Sequence, residues 1–69
     1  IMNINYNEYE QRYVRVITVF INNDYSNKET FYGYMIDHDE HTIKLSMLKG
    51  IKVIKKSKIK NIIIVDKIK

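Results

Sequence analysis

The sequence predicts a mostly β domain, a short N-terminal helix followed by five short antiparallel strands, and three observations predict it. Five runs rich in Val, Ile, Thr, Tyr and Phe succeed one another between Val14 and Val65, a composition that suits a pleated and partly buried surface. Turn-forming clusters separate them, at Asn22-Asn23-Asp24, at Asp37-His38-Asp39-Glu40-His41 and at Gly50, where short polar side chains or a missing Cβ favour reversal of the chain. No proline, internal repeat or low-complexity linker interrupts the 69 residues, so one unit spanning 1–69 is expected.

Each element follows from its residues. Asn5 with Glu8 three positions on has the spacing of a helix-capping pair, and Glu8 to Arg12 carries no β-branched residue, which predicts a helix of roughly two turns over 6–13. From Val14 to Ile21 only Arg15 departs from strand-forming types, and both alternating sets are largely apolar, so this strand should be covered on both faces. Asn22 to Lys28 is rich in turn formers and reads as a polar loop. Thr30 to Asp37 is the second strand, with Gly33 inside it marking a sharp bend or a close backbone approach. In Thr42 to Met47 the residues Ile43, Leu45 and Met47 alternate with Thr42, Lys44 and Ser46, one buried and one wet face. Ile51 to Lys56 and Ile59 to Val65 complete the set, the last containing four consecutive apolar β-branched residues at 62–65, the pattern of a strand buried on both sides.

A chain this short buries only about 60% of its unfolded surface and needs a staple. With no cysteine and two histidines, neither a disulfide nor a metal core supplies it, which leaves self-association. In a lone copy the isoleucine-rich last strand would stand at a sheet edge that invites pairing. A ring in which it pairs with the neighbour's preceding strand would satisfy that edge, and five bent strands after a helix have the size of an SH3-like barrel.

The net charge of +4 hides a division: residues 1–41 hold three Lys/Arg against seven Asp/Glu, whereas 42–69 hold nine lysines against Asp66 alone. The second part is the candidate polyanion surface. No apolar run approaches the roughly 20 residues of a membrane span, and Ile1 to Tyr9 has neither a basic nor an apolar leader region, so no membrane partner and a cytoplasmic location are expected.

Ile17-Thr18-Val19-Phe20-Ile21-Asn22-Asn23, Gly33, Asp37-His38-Asp39 and Thr42-Ile43-Lys44-Leu45 resemble the first block of the Sm-like proteins, and Ile54-Lys55-Lys56-Ser57-Lys58-Ile59-Lys60-Asn61-Ile62 resembles the second. The short linker between blocks and the N-terminal helix make the chain similar to the Hfq branch, close to archaeal Hfq-like proteins. The resemblance implies an Sm-like (SH3-like) small barrel assembling into a homohexameric ring. Such a ring binds single-stranded U-rich RNA at its proximal pore and acts as an RNA chaperone, promoting annealing with small regulatory RNA in post-transcriptional regulation.

By the same resemblance Asp39 matches the family's turn Asp, Glu40 the usual Gln, and His41 the aromatic position on which uracil stacks. Lys56 matches the lysine of the Tyr-Lys-His motif, with Lys55 in place of Tyr and Ser57 in place of His. Asn3 falls near a base-contacting Gln, and Gln11, Arg12 and Arg15 near the basic rim. Phe20, Phe31 and Asn61 fall near the distal purine pockets, although the segment after Asn23 is several residues longer than the family's, which argues against A-rich binding there. The chemistry is compatible, since single strands are held by backbone-tracking cations and planar groups that stack, and a ring multiplies weak pockets.

The plain alternative for Lys52, Lys55, Lys56, Lys58 and Lys60 is a solvated face of gatekeeping charges, and for the six tyrosines packing or interface roles. Adjacent residues of the 37–41 turn rarely converge on one ion, so no metal or other cofactor is expected. A cysteine nucleophile, a glycine-rich phosphate loop and a serine beside a base are all missing, so an enzyme is not expected. Two further readings stay open: an SH3-like adapter or inhibitor binding a protein, since a similar strand order occurs in other small barrels, including YolD-like proteins, and an Sm-like ring binding a small nucleotide.

Overall fold

The structure, a computed structural model, describes residues 4–22 and 25–65. It contains five strands, β1 Tyr13–Asn22, β2 Tyr25–His38, β3 Thr42–Met47, β4 Gly50–Lys55 and β5 Ile59–Ile64, all antiparallel in one sheet of order β4-β3-β2-β1-β5. The sheet is not closed, and β4 and β5 form its two edges. The expected third strand has the predicted bounds, the fourth is displaced by one residue at each end, and the fifth stops one residue short. No helix among the described residues is long and apolar enough to cross a membrane.

The connection from one edge to the other dictates a strong bend. Only Lys56-Ser57-Lys58, a 3-10 turn, links β4 to β5, and four Cα steps reach at most about 14 Å. In a flat sheet four strand spacings would separate the edges by about 19 Å. Curvature closes the gap, and two irregularities help, a register shift at Met35/Asp37 between β2 and β3 and another at Ile17/Thr18 between β1 and β5. An extra residue on one strand bends it and sharpens its twist.

The bend wraps one face around the core. Val14, Val16, Met35, Ile43, Leu45, Ile54 and Ile62 are buried there, with Tyr6, Tyr9, Phe31, Met47, Ile59 and Ile64 packed against them. Gly33 lies tight against β3: a Cβ at this position would meet the Ser46 carbonyl oxygen at 2.7 Å and Met47 Cγ at 3.0 Å. Gly50 opens β4 with φ of 128°, a conformation that only glycine adopts readily.

Three sequence expectations are corrected. The helix over 6–13 is a single 3-10 turn, Tyr6–Tyr9. The capping pair forms through side chains, with Asn5 Oδ1 accepting from Asn7 N at 3.3 Å and Asn5 Nδ2 donating to Glu8 Oε2 at 3.4 Å, but the turn cannot propagate because the chain is drawn onto the sheet. Gln11 N donates to the Met35 carbonyl at 2.7 Å, Met35 N to the Arg12 carbonyl at 3.1 Å, and Gln11 takes a φ of 62°. A few sheet bonds outweigh a helix too short to nucleate alone.

The polar loop after Asn22 is the second correction. Residues 25–28 pair with 19–22, with Asn22 opposite Tyr25, while Asn23 and Asp24 themselves lie outside the described residues. Beyond Thr18 neither β5 nor β3 flanks this hairpin, so it is a two-stranded arm carrying the exposed Ile21 and Tyr25. Polar residues are tolerated in β2 because much of the arm faces water. Third, the last strand is not buried on both faces: Ile62 enters the core, whereas Ile63, Ile64 and Val65 are half-buried.

Candidate nucleic-acid interface

Two turns meet at one end of the sheet. The first joins β2 to β3 and is built by Asp39, whose Oδ1 accepts from His41 N and Thr42 N, each at 2.8 Å, and from Thr42 Oγ1 at 3.1 Å, while Asp39 N donates to the Thr42 carbonyl at 2.9 Å. The second is the Lys56–Lys58 turn, clamped to the first by Lys56 N donating to the His41 carbonyl at 2.7 Å. Between them opens a cleft of about 470 Å³ lined by Glu40, His41, Thr42, Lys55, Lys56 and Ser57. Five residues singled out in the sequence therefore share one site. His41 and Glu40 are exposed at its mouth, Nε2 to Oε1 at 3.8 Å.

Asp39 acts on the turn's backbone. The three donors, together with the nearby His41, hold its carboxyl below the usual carboxylate range. A depressed value means that its contribution is present above the ordinary carboxylate range and disappears as pH falls through the lowered one. Acidification to below about pH 4 is therefore expected to loosen this turn. The amide resonances of His41 and Thr42 report it, and Asp39→Asn should remove their acid-dependent shift.

Lys56 is placed otherwise than a free pore cation. Its Nζ donates to His38 Nδ1 at 3.1 Å and lies 4.4 Å from the centroid of the Tyr6 ring. His38 in turn contacts Asn7 Oδ1 through Nε2 at 2.8 Å, and its ring is tilted against Tyr6 at 5.9 Å. Burial, with a smaller effect from Tyr9, raises the Tyr6 hydroxyl above its ordinary value, so the ring stays neutral beneath the ammonium. Sequence reasoning missed Tyr6, Asn7 and His38 because the N-terminal turn and the end of β2 that hold them are far from each other and from Lys56 in the chain. The odd spacing of two histidines in one turn was the only hint.

The rim and distal residues are brought together less well. Gln11 Nε2 donates to the Ile36 carbonyl at 3.3 Å, which gives it a structural task. Arg12 and Arg15 are half-buried, and Arg15 Nε is buried without a hydrogen-bond partner. Phe20 and Phe31 do share a cleft of about 350 Å³ with Lys52, Lys55 and Lys58 at its wall, and Lys52 Nζ stands 5.0 Å from the Phe31 centroid. Asn61, opposite Ile17 in register, faces away from the core and does not line that cleft. Asn3 lies outside the described residues. Among the described residues no three His, Cys, Asp or Glu side chains are grouped to hold a metal ion.

Compared with family models, with curated proteins and with solved structures, the chain matches none.

Proposed function

We propose that this chain is an Sm-like, Hfq-like RNA-binding protein that assembles into a homohexameric ring and takes U-rich single-stranded RNA at a pore built from the His41–Lys56 cleft. The observation that carries the reading is the meeting of Glu40, His41, Lys55, Lys56 and Ser57 in one cleft, although they come from turns far apart in sequence. His41 offers a planar group for a base, and Lys55 and Lys56 offer cations for the backbone. The sheet order adds support, because two edge strands at opposite ends of a bent sheet suit head-to-tail pairing between copies. Annealing of regulatory RNA belongs to the same reading.

The test is binding of labelled oligo-U followed by fluorescence anisotropy, with native mass spectrometry for the assembly. A ring of about six copies is expected, with affinity falling steeply as salt rises. Lys56→Ala is expected to weaken binding about tenfold and to flatten the salt slope, by roughly 0.7 for each phosphate that the variant no longer neutralises. A monomer indifferent to RNA at low salt overturns the reading.

One observation favours a protein-binding adapter instead. Tyr32, Tyr34 and Leu48 are exposed around a groove of about 580 Å³ on the outer face. In that case a partner should be recovered in pull-downs that survive nuclease treatment.

A further inference from the structure

We propose that His38 is a protonation-sensitive latch on Lys56, which keeps the lysine's ammonium engaged while the imidazole is neutral and releases it to RNA when the imidazole takes up a proton. The inference rests on the cleft being the RNA site, and it assigns to that site a regulation by pH.

The hydrogen-bond pattern fixes the state of the ring. Asn7 Oδ1, 2.8 Å from Nε2, can only accept, so Nε2 carries the hydrogen. Nδ1 is then left with a lone pair, and the Lys56 ammonium donates to it at 3.1 Å. Protonation has one place to go. It puts a hydrogen on Nδ1, so two donors, both on cations, face each other at a distance that neither tolerates in a half-buried setting. The ring keeps its bond to Asn7 and its contact with Tyr6, and the lysine, on a flexible four-carbon stem, is the partner that moves.

The surroundings favour release and not rearrangement. From the N-terminal turn, His38 faces the neutral Tyr6 and Asn7. From the β4–β5 turn it faces Lys56. On its own hairpin, Asp37 Oδ1 accepts the His38 backbone N–H at 2.8 Å, and the Asp39 carboxylate is taken up by His41 and Thr42. Lys56 is then within its own stem's reach of the cleft it already lines with Glu40, His41 and Ser57.

The chain has two histidines, so replacing His41 leaves His38 as the only imidazole. In His41→Gln, two measurements are taken between about pH 8 and about pH 5.5. The first follows the Lys56 ε-methylene protons by NMR without RNA, and the second follows affinity for rhodamine-labelled oligo-U at fixed ionic strength. At high pH the Tyr6 ring is expected to shift the ε-methylene resonance upfield. That shift should vanish in step with the titration of the His38 ring protons, and affinity should rise about tenfold over the same range. In His41→Gln/His38→Gln both should be flat with pH. An ε-methylene shift that stays constant while His38 titrates overturns the latch. If the shift moves as expected but oligo-U does not bind the unsubstituted protein at any pH, the latch stands as a conformational device and the RNA reading falls.

Discussion

Gly33→Ala is expected to cost about 2–3 kcal/mol and, in a domain whose core supplies only about 3–5 kcal/mol, to leave a large unfolded fraction at room temperature. The added Cβ would sit 2.7 Å from the Ser46 carbonyl oxygen and 3.2 Å from its carbon. These are backbone atoms, held by the β2–β3 ladder on one side and the β3–β4 ladder on the other, so they cannot swing aside as a side-chain end would. Conformational strain adds nothing, since Gly33 is not among the positive-φ residues. The whole effect is steric.

Gly50→Ala separates the two roles of glycine. Nothing lies within 4 Å of a Cβ there, but φ is 128°, so the cost is conformational and of about 1 kcal/mol. Urea unfolding followed by circular dichroism checks both. With a slope near 1 kcal/mol per molar for so small a domain, Gly33→Ala should lower the midpoint at least twice as far as Gly50→Ala. Equal shifts would mean that β2 and β3 do not approach as described.

The same glycine shows how far the fold could be read from the residues. A glycine inside an apolar run announces a close approach, and Ile43 and Leu45 alternating with charged or polar neighbours announce a buried face; both follow from local periodicity. What the periodicity could not supply was the competition between segments. Gln11 and Arg12 lie in a helix-compatible stretch, yet the amides at 11 and 35 and the carbonyls at 12 and 35 bond across the fold, and this long-range gain decides against the helix. Residues 25–28 look like a loop because their own side chains are polar. They are strand because the apolar Val19 to Ile21 segment opposite supplies the ladder.

The cleft divides along the same line. Glu40, His41, Lys55, Lys56 and Ser57 were legible because each sits in a turn whose position follows from the strands beside it. The Lys56–His38–Asn7–Tyr6 cluster was not, since three of its four members are 18 or more residues from Lys56, and only the bend of the sheet brings the N-terminal turn under the last one. A residue's type announces what it can bind, whereas the fold decides whether it is already bound.

The outer edge of β4 is where the proposed ring stands or fails. Ile51 and Val53 are 63% and 55% exposed, and they project from the same face, alternating with Lys52 and the buried Ile54. Replacing both, as Ile51→Lys/Val53→Lys, removes nothing from the core, so the isolated subunit should keep its fold. Lysines on an edge are the common natural block to strand addition, and a neighbour's β5, with its half-buried Ile63 and Ile64, would have to bury two ammonium groups to pair there. Native mass spectrometry should therefore show the 8.3 kDa monomer in place of a ring. Oligo-U affinity should fall by about 10²–10⁴-fold, the advantage that linked weak sites hold over independent ones. The sign makes the result informative. A protein that bound RNA as a monomer would gain affinity from two more cations per chain, so tighter binding by the variant would refute ring-dependent recognition, and weaker binding points to failed assembly.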